Sequence, residues 1–180
     1  MKVIRTAISD VLIVEPEIFT DARGFFYESF HKTAMQAVGI NGDFVQDNHS
    51  RSIRNVLRGL HYQTKQPQGK LVRAVVGEIF DVAVDIRRHS PTLGKWVGMN
   101  LSAENKRMAW IPPGFAHGFL VLSEHAEVLY KTTDYWASPH ERTILWNDAT
   151  LAIAWPMQGQ PLLSSKDMAG APFNEAELFG

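Results

Sequence analysis

The most regular signal along this chain is an alternation with a period of two. Between Ile79 and Ile86, the residues Phe80, Val82, Val84 and Ile86 alternate with Ile79, Asp81, Ala83 and Asp85, which predicts a strand with one apolar and one mostly polar face. Similar runs occupy Leu71–Val76, Trp96–Leu101, Ala109–Ile111, Phe119–Leu122 and Ala126–Thr133. Turn signals separate them at Gly77-Glu78, Ser90-Pro91, Ser102-Ala103-Glu104-Asn105, Pro112-Pro113-Gly114 and Ser123-Glu124. Many short strands at this spacing predict an all-β protein, an antiparallel β-barrel or jelly roll. On this reading Asp81 and Asp85 lie on the solvent side of their strand and outside any site.

Helical patterning is scarce. Lys32–Val38 is the best segment, with Ser29 as a possible cap and Gly39 as a stop, and Glu175–Leu178 is a weaker one. No repeat, low-complexity run or linker interrupts the 180 residues, so a single domain spanning 1–180 is expected, large enough to bury roughly two-thirds of its unfolded surface. Cysteine is absent, which excludes disulfides, thiol catalysis and thiolate metal sites and fits a reducing cytoplasm. The opening MKVIRTAISDVLIVEPE carries an acid and a proline where a signal peptide needs an apolar stretch, and no apolar run approaches the ~20 residues that span a bilayer. A cytoplasmic location without membrane association is therefore expected.

The net charge of −1 gives nucleic acid no electrostatic footprint. Charge is nevertheless uneven. From Val45 to Val75, six cations (Arg51, Arg54, Arg58, Lys65, Lys70, Arg73) face one acid, Asp47, a surplus suited either to a small polyanion such as a diphosphate or to a solvated strand edge. Two segments beside strands combine histidine with glycine or proline: Arg58-Gly59-Leu60-His61-Tyr62-Gln63, and Pro112-Pro113-Gly114-Phe115-Ala116-His117-Gly118. The second matches the P-x-G-x-x-H half of the cupin signature. The other half requires H-x-H followed by a glutamate, and here reads His61-Tyr62-Gln63. Protein-held transition metals want about three or four ligands, so His61 and His117 fall short and a cupin barrel without metal is expected. Cations near His61 lower its proton affinity, leaving a neutral imidazole able to accept a proton. Residue chemistry alone thus gives a barrel with a basic mouth, one or two histidines and weak support for acid–base catalysis.

At these residues the chain resembles the dTDP-4-dehydrorhamnose 3,5-epimerase family. The resemblance runs over nearly the whole chain, through Asp21-Ala22-Arg23-Gly24-Phe25-Phe26, Phe44-Val45-Gln46-Asp47-Asn48-His49-Ser50, Val56-Leu57-Arg58-Gly59-Leu60-His61-Tyr62-Gln63, Tyr130-Lys131-Thr132-Thr133-Asp134-Tyr135 and Leu163-Ser164-Ser165-Lys166-Asp167. It implies a cupin-type jelly roll with few short helices that works without a cofactor. It also implies inversion of C3 and C5 of a dTDP-linked 4-keto-6-deoxy sugar. By resemblance His61 is the base, Asp167 its hydrogen-bond partner, Tyr130 the acid on the opposite face of the sugar, and Lys70, with Arg58 nearby, the stabiliser of the enolate. Arg23, Glu28, Gln46, Asp47, Asn48, Arg58, His117, Glu141 and Lys166 fall on substrate-contacting positions. The family works as a homodimer, which would let Arg23 and Glu28 reach the partner's site. Where many relatives carry a second tyrosine that stacks on thymine, this chain has Trp136, whose indole also stacks. Rival expectations are an epimerase acting at one carbon, a 3,4-ketoisomerase, a metal-dependent cupin and a non-catalytic nucleotide-sugar sensor.

Overall fold

The computed structural model describes residues 1–180 as two facing antiparallel sheets and a small hairpin. The six-stranded sheet has the order β1 (Lys2–Arg5), β2 (Leu12–Glu15), β10 (Met108–Ile111), β7 (Lys70–Val76), β12 (His125–Thr132), β5 (Gln46–Ile53). The five-stranded sheet runs β13 (Glu141–Thr143), β6 (Leu57–Gln63), β11 (Phe115–Val121), β8 (Glu78–Asp85), β9 (Trp96–Ser102). β3 (Phe19–Asp21) and β4 (Gly24–Phe26) form the exposed hairpin. The crossing strand order is that of a jelly roll.

Three apolar layers hold the sheets. Between them, Val72 and Ala74 of β7 and Val128 of β12 meet Ile79 and Ala83 of β8, Leu101 of β9 and Phe119 of β11. Outside the five-stranded sheet, Val82, Val84 and Ile86 are covered by the C-terminal residues Leu151, Trp155, Phe173 and Phe179. Outside the six-stranded sheet, Leu12, Val14, Leu71 and Met108 pack on Met35 and Ile40, which α1 (Lys32–Ala37) and the turn after it supply.

This layering reverses the expected orientation of β8. Its apolar face, Phe80 to Ile86, looks outward onto the C-terminal cover, and its polar face looks into the barrel. Asp81 and Asp85, expected in solvent, are both 0% exposed. The alternation was read correctly, but a strand sandwiched between two layers has no solvent side. The helix over Lys32–Ala37 stands where the spacing places it, and Gly39 takes a positive φ of 91° after it, although His31 rather than Ser29 caps it. Glu175–Leu178 is not an α-helix; a 3-10 turn covers Phe173–Glu175 instead. β11 begins four residues before the run that predicted it, because Gly118 lies inside the strand rather than ending a loop.

That glycine and Gly59 form the tightest approach between β6 and β11. A Cβ on Gly59, whose φ is +131°, would stand 2.5 Å from Gly118 Cα and 2.9 Å from the His117 carbonyl oxygen, while one on Gly118 would stand 2.7 Å from the Arg58 carbonyl oxygen. The register between the strands shifts between His117 and Phe119. Gly59→Ala combines a left-handed-region penalty with a backbone collision and should cost about 3 kcal/mol or more in chemical denaturation. Gly159→Ala has positive φ but open space around it and should cost only about 1 kcal/mol. Equal losses for the two variants would show that β6 can back away from β11.

Candidate functional site

The interior of the barrel opens into a pocket of about 330 Å³, within the range of small-molecule sites. Its two walls come from different sheets. From the six-stranded sheet, β5 presents Gln46, Asn48 and Ser50, β7 presents Lys70 and β12 presents Tyr130. From the other, β6 presents Arg58 and His61, β11 presents Phe119 and β13 presents Glu141, with Lys166 added from α2 (Ser165–Met168). Gln68 and Trp136 complete the lining.

His61 is built into a relay. Its Nε2 lies 2.7 Å from Asp167 Oδ1, and the same oxygen accepts from the Gly59 backbone N–H at 3.1 Å. Asp167 Oδ2 accepts from the Ser164 hydroxyl at 2.6 Å and, more weakly, from the Ser164 backbone N–H at 3.3 Å. Ser164 and Asp167 form a capping box that starts α2, so the element holding the carboxylate is ordered by the carboxylate itself. Burial alone would raise the Asp167 pKa; the hydrogen bonds from His61, Ser164 and Gly59 outweigh it and hold the acid well below the usual carboxylate range. An ionised Asp167 keeps the proton on Nε2 and leaves Nδ1 as the free acceptor of a neutral ring.

The His61 pKa is itself lowered, chiefly by burial, with Lys166 and Lys70 adding to the effect and Asp167 opposing it. The direction agrees with the sequence reading. The leading cause differs, since desolvation exceeds the neighbouring cations and Arg58 is not among the contributors. Burial raises the Tyr130 pKa, with Glu141 adding to the rise and Arg58 opposing it, so the phenol keeps its proton. Lys70, 8% exposed, is pushed down to about 8 by burial against the pull of Glu141 and Asp81. Its ammonium donates to the His61 carbonyl oxygen at 3.3 Å. Glu141 and Lys166 form a 2.7 Å ion pair. Arg58 is oriented by Nε donating to Ser52 Oγ at 3.0 Å.

Of the residues expected at the site, His61, Tyr130, Lys70, Gln46, Asn48, Arg58, Trp136, Glu141 and Lys166 line one pocket, with Asp167 directly behind His61. Others are placed elsewhere. Asp47 is a correction: alternation along β5 turns it to the outer face, where it pairs with Lys131 at 2.9 Å. His117 is buried behind the lining, its Nε2 2.8 Å from Asp81 Oδ2. Arg23 stands on the β3–β4 turn, paired with Asp21, and Glu28 is exposed; neither borders this chain's pocket. The basic surplus of Val45 to Val75 is likewise divided. Arg58 and Lys70 enter the pocket, Arg51, Arg54 and Lys65 stay outside, and the third pocket cation is Lys166.

Sequence reasoning missed Ser50 and Asp81. Ser50 follows the i, i+2 row of Gln46 and Asn48 and was readable from it; Asp81 gave no signal, because an inward and an outward acid look alike in a strand pattern. No group of three or more His, Asp or Glu side chains is arranged to hold an ion. No helix is long and apolar enough to cross a membrane.

The family profile described as dTDP-4-dehydrorhamnose 3,5-epimerase matches residues 5–175. A dTDP-4-dehydrorhamnose 3,5-epimerase of Pseudomonas aeruginosa is 64% identical over 99% of both chains. Among solved structures, a dTDP-6-deoxy-D-glucose-3,5-epimerase of Legionella pneumophila in complex with dTDP-4-keto-L-rhamnose superposes with a TM-score of 0.96 at 54% identity, covering 98% of this chain and 94% of its own. A 3'-monoepimerase of Streptomyces bikiniensis in complex with dTDP-quinovose is more distant, with a TM-score of 0.87, 33% identity and coverage of 94% and 87%. Barrel, pocket and sequence agree, and the chain belongs to the dTDP-4-dehydrorhamnose 3,5-epimerase family, on a cupin-type jelly roll.

Proposed function

We propose that this chain inverts C3 and C5 of dTDP-4-dehydro-6-deoxy-D-glucose to give dTDP-4-dehydro-L-rhamnose, as one domain acting without a cofactor in a cytoplasmic homodimer. The observation that carries this reading is the position of His61 and Tyr130 on opposite sheets of one pocket. A sugar ring held between the sheets meets a base on one face and an acid on the other, which is what inversion requires.

The chemistry follows from the two pKa shifts. Neutral His61 removes the proton from the carbon next to the C4 ketone, and the C–H electron pair moves toward the C4 oxygen. The resulting enolate is matched by the Lys70 ammonium, with Arg58 on the same wall as His61. Tyr130, kept protonated by burial, returns a proton to the opposite face, and solvent restores both groups to their starting states. The substrate's own ketone acidifies both carbons, so one set of residues serves C3 and C5. Lys166, Arg58 and the β5 row Gln46, Asn48 and Ser50 offer donors to the diphosphate and sugar, and Trp136, 59% exposed and pinned through its backbone N–H to Gln46 Oε1, offers a face for thymine. Arg23 and Glu28, turned away from their own pocket on an exposed apolar hairpin, are placed to serve the partner subunit.

A second reading, epimerisation at a single carbon, is favoured by the likeness to the Streptomyces bikiniensis monoepimerase. Turnover of dTDP-4-dehydro-6-deoxy-D-glucose in D₂O, followed by NMR, separates the two: deuterium is expected at both C3 and C5, and deuterium at one carbon alone would establish the monoepimerase. His61→Ala should lower kcat by at least ~10³ while calorimetric affinity for dTDP stays within about threefold, because the base is lost but few ligand contacts are. Activity within tenfold of the parent would remove His61 from the role of base. Tyr130→Phe should retain exchange at C5 but lose net inversion; a parallel fall of both would place Tyr130 earlier in the reaction.

The pH dependence has a fixed sign. His61 works only as the neutral ring and its pKa is lowered, so kcat/KM should keep its full value to pH values below the ordinary imidazole range and fall only beneath them. Lys70 works only as the cation, so kcat/KM should fall again as pH rises through about 8. A profile flat to pH 9.5 would contradict the assignment of Lys70.

A further inference from the structure

Four aspartates are buried in this protein, and three are saturated with donors. Asp85 accepts from Arg87, Ser90 and Thr92, Asp148 from the backbone N–H groups of Thr150, Leu151 and Phe173, and Asp167 from His61, Gly59 and Ser164. Asp81 is the exception. It is 0% exposed, its Oδ2 meets His117 Nε2 at 2.8 Å, and its Oδ1 is buried with no hydrogen-bond partner in the protein. A buried carboxylate oxygen without a donor is costly, and such atoms mark sites where the charge has another use.

The complementary group stands on the other sheet. Lys70 shares the inward parity of Val72 and Ala74 on β7, as Asp81 shares that of Ile79 and Ala83 on β8, so both face the barrel interior. The Lys70 ammonium has three protons to donate and one hydrogen bond, the 3.3 Å contact with the His61 carbonyl. Its charged neighbours are Glu141 from β13, Asp81 from β8 and Lys166 from α2. Glu141 is already engaged by Lys166 at 2.7 Å. Asp81 is therefore the acid with charge to spare.

We propose that Asp81 is a positioning residue of the site, fixing the ring of His117 through one carboxylate oxygen and keeping Lys70 an ammonium in the pocket wall through the charge on the other. His61 and Lys70 then draw on separate carboxylates: Asp167 orients the base, and Asp81 sustains the cation that meets the enolate. The division serves the chemistry, because one carboxylate serving both would be shared between a group that must stay neutral and a group that must stay charged. The catalytic part of this inference rests on the epimerase reading above; the electrostatic part does not.

The test is the titration of Lys70 in protein carrying ¹³Cε-lysine, the resonance being assigned by its absence in Lys70→Arg. In the parent the midpoint is expected near 8, and in the isosteric D81N it should fall by at least one pH unit, about tenfold in proton affinity. The alkaline limb of kcat/KM should move by the same amount, with activity at pH 6 within about threefold of the parent. A merely structural role would lower activity equally at all pH values and leave the lysine midpoint in place, which would overturn the proposal. D81S, smaller and also neutral, guards against a local defect of the amide. If neither variant forms the barrel by near-UV circular dichroism, the carboxylate is a folding element and the proposal fails. If the parent lacks epimerase activity altogether, the epimerase reading fails while the lysine titration still decides the role of Asp81.

Discussion

The short hydrogen bond between His61 and Asp167 joins parts of the chain that are 106 residues apart, and much of the architecture is arranged so that it can form. A carboxylate taken out of water must be given donors or it neutralises, and Asp167 receives them from three sources: an imidazole, the N-cap serine of its own helix and a backbone N–H of β6. The last source depends on Gly59. Without a side chain there, β6 and β11 close to within a distance no Cβ would tolerate, and the strand carrying His61 lies where the Gly59 N–H reaches the carboxylate. The C-terminal segment is fastened to the outer face of the five-stranded sheet by its aromatic residues, which carries α2 back to the pocket. Helix cap, strand contact and proton acceptor are consequences of one requirement.

Placing charged groups inside a barrel has a second consequence, that each must be matched. Glu141 meets Lys166, Asp81 meets His117, and Arg58 is steadied by Ser52. Lys70 is the least matched, which accounts for its depressed pKa and for its fitness to meet charge that appears only during reaction. Burial is the largest cause of the shifts at His61, Lys70 and Tyr130, and it acts oppositely on bases and acids. The same desolvation that keeps the imidazole neutral keeps the phenol protonated. A single physical cause thus poises the base and the acid on the two walls.

The inner faces of the two sheets divide between apolar packing and chemistry. Ile79, Ala83, Val72, Ala74 and Val128 fill the part of the interior that Asp81, Lys70, His61 and Tyr130 do not. Stability is supplied by the layers on both sides of the sheets, with α1 on one outer face and the C-terminal cover on the other, so that polar residues on the inner faces are tolerated. This is why β5, with hardly an apolar residue in Gln46–Ile53, is nonetheless a full strand paired along its length with β12.

Strand patterning, turn punctuation and the scarcity of helical spacing were enough to establish an antiparallel all-β fold, because alternation is a property of the backbone and survives in every environment. The histidine segments and the basic stretch were likewise visible, and the family motifs named the roles of His61, Tyr130, Asp167 and Lys70. The sequence could not say which face of β8 looks inward. A period of two identifies two faces and is silent about which one a second layer covers, so Asp81 was placed in solvent when it lies at the centre of the barrel. It could not separate Asp47 from Gln46 and Asn48 either, since neighbours in a strand share a motif but not a face. Nor could it divide the cations of Val45 to Val75 between pocket and surface. Those choices belong to the tertiary structure, where register and the packing of sheet on sheet decide which atoms lose water, and loss of water sets the charge each group carries.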